Sequence, residues 1–172
     1  MLYHDPLCFS GYLFNFPFLT EKCRVKIEGQ RVMPLYKHLI HMDYPELCFV
    51  GLPFTVLPFP MFHFQIQYFL KTLNGEIELP NREEMEEEAE QDFKKRIVDM
   101  KMPARHAHKM GPLQWDYFQD LGNEAHFQTL PPVYKMIYDE VEGKRKNNVM
   151  WYKKEEYKVL SAEEYVRSMP EP

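Results

Sequence analysis

The sequence predicts an α/β fold in which a strand, a loop and a helix are followed by further helices. Three observations carry that prediction. Glu46-Leu47-Cys48-Phe49-Val50-Gly51 is a nearly continuous apolar run of strand length, suited to a central strand buried on both faces. Gly51-Leu52-Pro53 breaks it, and past Pro58 and Pro60 the residues Phe62, Ile66, Phe69, Leu70 and Leu73 recur at helical spacing. From Asn81 onward the chain returns repeatedly to helix-start signals and helical periodicity.

The elements follow in order. Leu7 to Tyr12 is a short apolar run stopped by Gly11, the pattern of a strand that ends in a turn. Leu13 to Leu19 is dense in aromatics, and Pro17 forbids a regular helix, so this segment packs as irregular buried structure. Val25 to Val32 alternates around Gly29-Gln30 and reads as a hairpin, and Pro34 to His41 connects it to the apolar run. The first helix begins near Pro58 and Pro60 and ends at Asn74-Gly75, a C-cap pair. In open α/β sheets ligands bind beyond the carboxyl ends of strands, which is where the loop from Gly51 to Phe62 lies.

Asn81 with Glu84 three residues later is a capping box, and the helix it starts runs through Phe93, Ile97 and Met100. Its glutamates come first and Lys94, Lys95, Arg96 and Lys101 come last, which suits the helix dipole and describes a solvated face. Further helices are expected from Pro112 to Leu121 and from Pro132 to Glu142, with the GKRKNN stretch after them a loop. Ser161 and Glu164 repeat the capping-box spacing ahead of a last short helix that Pro170 ends.

Composition narrows the function classes. With 172 residues, 45% of them hydrophobic and 15% aromatic, the chain can bury a core. A formal charge of -5 provides no global attraction to nucleic acid or an anionic membrane, so no nucleic-acid partner is expected. Three cysteines at unrelated spacings suit reduced thiols in an intracellular protein. Prolines and polar groups interrupt every apolar run short of the roughly 18 residues that span a bilayer.

Candidate chemistry is sparse. His106 and His108 form an H-x-H pair and His38 and His41 are three apart, spacings that metals use, yet no neighbouring carboxylate or thiolate completes a site. These histidines read as ordinary polar or semi-buried residues, and His63 as a packed helix residue, so no metal is assigned. G-x-S-x-G is absent and no cysteine stands in an electropositive context, so hydrolase chemistry is not indicated. The seven glycines are too far apart to form G-x-G-x-x-G or a P-loop, the cradles that hold phosphates at a helix N-terminus.

Several ordered motifs nevertheless resemble one family. Cys8-Phe9-Ser10-Gly11-Tyr12 and Phe16-Pro17-Phe18-Leu19 resemble the A-T-G-Y element and downstream FPFL of flavin-containing monooxygenases, with Ser10 in place of the usual threonine. Pro34 to His41, Phe49-Val50-Gly51-Leu52-Pro53, and Pro58 to Tyr68 are similar to the family's PLYKHLI, F-I-G-L-P and flavin-returning helix. Arg105 to Met110 with Gln114-Trp115 is similar to its late C-terminal region. Within the family, the likeness is to the invertebrate branch that includes senecionine N-oxygenase-like proteins.

The resemblance implies a fold, cofactors and a site. The fold would be the incomplete C-terminal part of a Rossmann-like FAD/NAD(P)-binding fold followed by α-helices, with residues 1–79 in the FAD-binding domain and 80–172 a helical extension. The cofactors would be FAD and NADPH, and the substrate a small molecule with a soft nitrogen or sulfur nucleophile. Gly51, Leu52, Pro58, Phe59, Phe62 and Gln65 would lie near the isoalloxazine, where N–H groups favour negative charge on reduced flavin. Ser10, Gly11 and Tyr12 would shape the domain junction, and no catalytic residue is implied. The expected location is cytoplasmic or endoplasmic reticulum-associated. Because both glycine fingerprints are missing from these residues, the expectation is a partial oxygenase, inactive as an isolated chain, and the alternative is a degenerate fragment or a non-enzymatic interaction module docking a partner on its apolar edges.

Overall fold

A computed structural model describes residues 13–147 and 152–168. The strand expected at Leu7 to Tyr12 lies outside the described residues. Backbone contacts group the chain into two compact units, Met1–Gly111 and Pro112–Pro172.

The first unit opens on the predicted hairpin. Strands β1 (Lys26–Glu28) and β2 (Arg31–Met33) pair antiparallel with Ile27 opposite Val32. The turn residues Gly29 and Gln30 both have positive φ, the conformation whose twist matches paired strands. Pro34 to His41, expected as a plain connection, is a second antiparallel hairpin, β3 (Leu35–Tyr36) and β4 (Ile40–His41). Lys37 and His38 turn it with positive φ, and the Leu39 N–H closes it on the Tyr36 carbonyl at 3.0 Å.

The run from Glu46 to Gly51 is not the central strand its composition suggests. It meets β4 at a single antiparallel bridge, Ile40 to Cys48, flanked by bonds from the His41 N–H to the Leu47 carbonyl and from the Phe49 N–H to the Leu39 carbonyl. A turn closes ahead of it from the Leu47 N–H to the Tyr44 carbonyl, and Gly51 bends away at φ +85. Too few extended residues remain to build a ladder, and Val50 faces outward. What the run supplies is packing: Phe49 and Leu52 join Val32 and Leu35 in a core that Phe14, Phe16 and Leu19 cover. The aromatic segment thus packs irregularly, with Phe16 and Phe49 rings 5.1 Å apart, although Leu13 and Phe18 are exposed.

Helix α1 (Pro58–Leu73) ends at Asn74, and Gly75 follows at φ +70 with its N–H on the Thr72 carbonyl, as the sequence predicts. Its phase is less expected. The buried face is Met61, Phe64, Gln65 and Tyr68, while Phe59, Ile66, Leu70 and Leu73 form an apolar stripe on the exposed side.

Helix α2 (Arg82–Lys94) begins in the predicted capping box, the Glu84 N–H donating to Asn81 Oδ1 at 3.0 Å and the Asn81 N–H to Glu84 Oε2 at 3.1 Å. Met85 packs with Tyr36 and Met42, so this helix groups with the first unit. Its acidic face is not simply solvated: Glu88 pairs with Lys37 and Glu90 with Arg31. The helix continues as a π turn over Lys95–Asp99, which carries Arg96 into the interior.

In the second unit, helix α3 (Gln114–Ala125) extends beyond the predicted Leu121 to a left-handed cap at His126. Helix α4 (Pro132–Asn147) runs through residues expected to form a loop; Lys144, Arg145 and Lys146 sit in its last turn, where cations complement the dipole. Ser161 and Glu164 do not start a helix. They turn an antiparallel hairpin of β5 (Glu156–Val159) and β6 (Tyr165–Ser168), with the Leu160 and Ser161 N–H groups both on the Glu164 carbonyl. Tyr157 and Tyr165 carry that hairpin to Glu140 and Lys144 of α4. Among the described residues no helix is long and apolar enough to cross a membrane.

Candidate functional site

The loop after Gly51 and the start of α1 bring three of the expected residues together. At φ +85 Gly51 holds a backbone that side chains disfavour, and an added Cβ would stand 2.8 Å from Phe62 Cε1. Its N–H donates to Gln65 Oε1 at 2.9 Å, and Gln65 is fully buried. Leu52 is buried in the core beneath the loop, whereas Pro58 and Phe59 are exposed, Phe59 by 82%. Pro58 and Pro60 carry no N–H, so Phe59 is the one residue ahead of Met61 in this helix start with a donor to offer. Ser10, Gly11 and Tyr12 lie outside the described residues.

The loop is suspended from a later segment. The Phe54 N–H donates to the His108 carbonyl at 3.1 Å, the Met110 N–H to the Phe54 carbonyl at 3.0 Å, and the Gly111 N–H to the Thr55 carbonyl at 2.8 Å. Thr55 has φ +58, a strained conformation for a β-branched residue.

Beneath that segment lies a polar cluster of residues distant in sequence. His108 Nε2 is 2.9 Å from the Val32 N–H, and the two Nδ1 atoms of His108 and His38 are 3.0 Å apart. His38 Nε2 is 3.2 Å from Asp92 Oδ2. Arg96 Nε donates to the same Asp92 oxygen at 2.6 Å, and Nη1 to the Lys109 carbonyl at 2.5 Å. The tautomers follow by elimination. Since Nε2 of His108 accepts from the backbone, its proton is on Nδ1 and is donated to His38 Nδ1. His38 then carries its own proton on Nε2, directed at Asp92. Both imidazoles are neutral, each using one donor and one acceptor.

Electrostatics agree with that assignment. Burial pushes His108 down to about 2, and the charges of Arg96 and Arg31 act in the same direction. Burial also lowers His38, against the pull of Asp92. Burial would raise Asp92, but bonds from His38 and Arg96 outweigh it and hold the carboxyl well below its usual range.

The histidine pairs visible in the sequence are thus exchanged. His106 and His108 diverge, His106 lying edge-on to Phe54, and His38 meets His108 while His41 Nδ1 accepts from the Asp43 and Tyr44 N–H groups. Sequence spacing did not disclose this cluster, because its members are joined across as many as 76 residues. Among the described residues no group of three or more His, Cys, Asp or Glu could hold a metal ion.

Residues 5–142 match the family model for flavin-binding monooxygenase-like proteins. The chain belongs to the flavin-containing monooxygenase family. Flavin-containing monooxygenase FMO GS-OX-like 3 of Arabidopsis thaliana is 37% identical over 117 residues, covering 67% of this chain and 26% of that protein. FMO GS-OX-like 7 of the same plant is 33% identical over 147 residues, covering 84% and 31%. The solved structure of S-allyl-L-cysteine S-oxygenase from Allium sativum superposes with a TM-score of 0.74 at 34% identity, covering 83% of this chain and 33% of that one. The chain therefore spans between about a quarter and a third of the length of these relatives. Membership brings FAD and NADPH as the family's cofactors.

Proposed function

We propose that these residues form the isoalloxazine-side loop and helix of a flavin-dependent monooxygenase acting on a small molecule with a soft nitrogen or sulfur nucleophile. The observation that carries the reading is the superposition on a plant S-oxygenase over 83% of the chain. That relative's action on a thioether favours sulfur. The senecionine N-oxygenase-like branch rests on the sequence motifs alone.

When bound, FAD, reduced by NADPH and reacting with O2, supplies the oxygen-transfer chemistry. This chain's residues fit the ring end of that cofactor. Phe54 and Phe59 expose apolar rings at the loop and helix start, suited to cover a flat aromatic group and exclude water. Gly51 permits a close backbone turn that Gln65 locks from within, and Phe62 and Leu52 support it from below. Phe59 N–H and the positive end of α1 favour negative charge nearby. Ser10, Gly11 and Tyr12 belong to the same reading as the junction element. The phosphate cradle is supplied by other parts of the family fold, and the stripe of Phe59, Ile66, Leu70 and Leu73 is the face on which those parts pack. The same stripe favours a second reading, an interaction module that docks a partner without turnover.

The test is flavin retention and NADPH oxidation by the 172-residue chain, alone and mixed with the separately expressed nucleotide-binding portion of the Allium S-oxygenase, with S-allyl-L-cysteine as substrate. The reading expects neither signal alone and both in the mixture. Turnover by the chain alone would overturn its incompleteness; complex formation without flavin would establish the interaction module instead.

A further inference from the structure

We infer that His108 is the positioning residue of the flavin-side loop: its side chain anchors in the polar cluster while its own main chain and that of its neighbours hold Phe54 and Thr55. The inference rests on the proposed site for its link to oxygenation, but the positioning itself requires no cofactor.

The geometry is that of a single bridge residue, Lys109, gripped on two sides. An extended backbone alternates the directions of its polar groups, so the carbonyl of residue 108 and the N–H of residue 110 face one way and the carbonyl of residue 109 the other. The loop takes the first side: the His108 carbonyl and the Met110 N–H both bond Phe54. The cluster takes the second, where Arg96 binds the Lys109 carbonyl and reaches Met110 Sδ at 3.5 Å. His108 completes the grip, its ring fixed between the Val32 N–H and His38 with Phe14 edge-on at 5.6 Å. The strained Thr55 is then held by the Gly111 N–H of the same segment. A loop free to relax would leave that conformation, so the segment constrains the loop rather than merely touching it.

Amide hydrogen exchange in the chain reads this directly, comparing wild type, His108→Leu and His108→Gln. Leucine removes both ring bonds, whereas glutamine keeps one acceptor and one donor. The expected result is faster exchange at the Phe54, Met110 and Gly111 amides in His108→Leu, on the order of tenfold, as for opening a buried polar network left without a partner. Glutamine is expected to restore most of the protection. Unchanged loop amides in the leucine variant would overturn the inference. So would a uniform rise across β1, β2 and α2 in both variants, which would make His108 an ordinary core residue. The readout is taken without cofactor, so failure of flavin binding in the mixing experiment would sink the oxygenase reading and leave this one standing.

Discussion

Replacing Gly51 by alanine separates two costs that the structure places at one residue. The first is conformational: φ is +85, and a left-handed backbone costs an L side chain about 1–2 kcal/mol. The second is steric, because the new Cβ would stand 2.8 Å from Phe62 Cε1, and overpacking of this kind costs about 1–3 kcal/mol. Gly75→Ala is the matched control. It has φ +70 with nothing within 4 Å of the added Cβ, so it carries the first cost alone. The expected losses are about 2–5 kcal/mol for Gly51→Ala and about 1–2 kcal/mol for Gly75→Ala. Phe62→Leu placed in the Gly51→Ala background is expected to recover much of the difference. Both tryptophans lie beyond residue 111, so urea unfolding should be followed by far-UV circular dichroism and by exchange of the β1 and β2 amides rather than by tryptophan emission. Equal losses for the two glycine variants, within about 0.5 kcal/mol, would refute the claim that the approach of Phe62 requires glycine at 51.

Three further outcomes are expected. Asn81→Ala removes one half of a complete capping box and should cost about 1 kcal/mol, read as a lower urea midpoint with unchanged slope. Acidification should weaken the first unit early. His38 and His108 titrate below 6.5 when folded, so below that pH the unfolded chain binds protons that the folded one does not; stability is full above about 6.5 and falls as pH drops toward the folded values. The groups facing the pair are Asp92, Arg96 and Arg31, and the slope for His108 approaches about 1.4 kcal/mol per pH unit, so His108→Gln should flatten the profile between about pH 6 and pH 5. In the second unit, Gly122→Ala would bring a Cβ to 2.9 Å from the Phe127 carbonyl and 2.6 Å from Thr129 Cγ2, so a loss of about 1–3 kcal/mol should appear in the unfolding transition that Trp115 reports.

Local signals in the sequence were reliable where one short stretch decides the structure. The Gly29-Gln30 hairpin, the Asn81–Glu84 box and the Asn74-Gly75 cap depend on neighbours within four residues, and each forms as read. The run from Glu46 to Gly51 misled because apolar composition reports burial, which Phe49 achieves, while a ladder needs extended partners that the flanking turns deny. Ser161 and Glu164 have capping-box spacing, but the cross-strand pairing of Tyr157 with Arg167 and Lys158 with Val166 makes their segment a hairpin turn. Gly143 and the cations after it looked like a loop, yet an exposed glycine in a helix costs only about 1 kcal/mol and the dipole favours the cations. In the site, Gly51, Phe62 and Gln65 were legible as neighbours because one loop and one helix turn join them. The histidine cluster was not, since no local rule relates residue 38 to residue 108.

That same cluster sets an order on synthesis. The Val32 N–H, His38 and Asp92 leave the ribosome before His108, and until it arrives the backbone donor at residue 32 lacks its acceptor. The hairpins and the capped helix can form early from local contacts, but the first unit cannot close its polar centre before residues 108–110 have emerged. A chain halted near residue 100 would therefore expose unsatisfied groups and the uncovered face of Phe54 together. Nascent-chain proteolysis should change from sensitive to resistant as the emerging length passes this point.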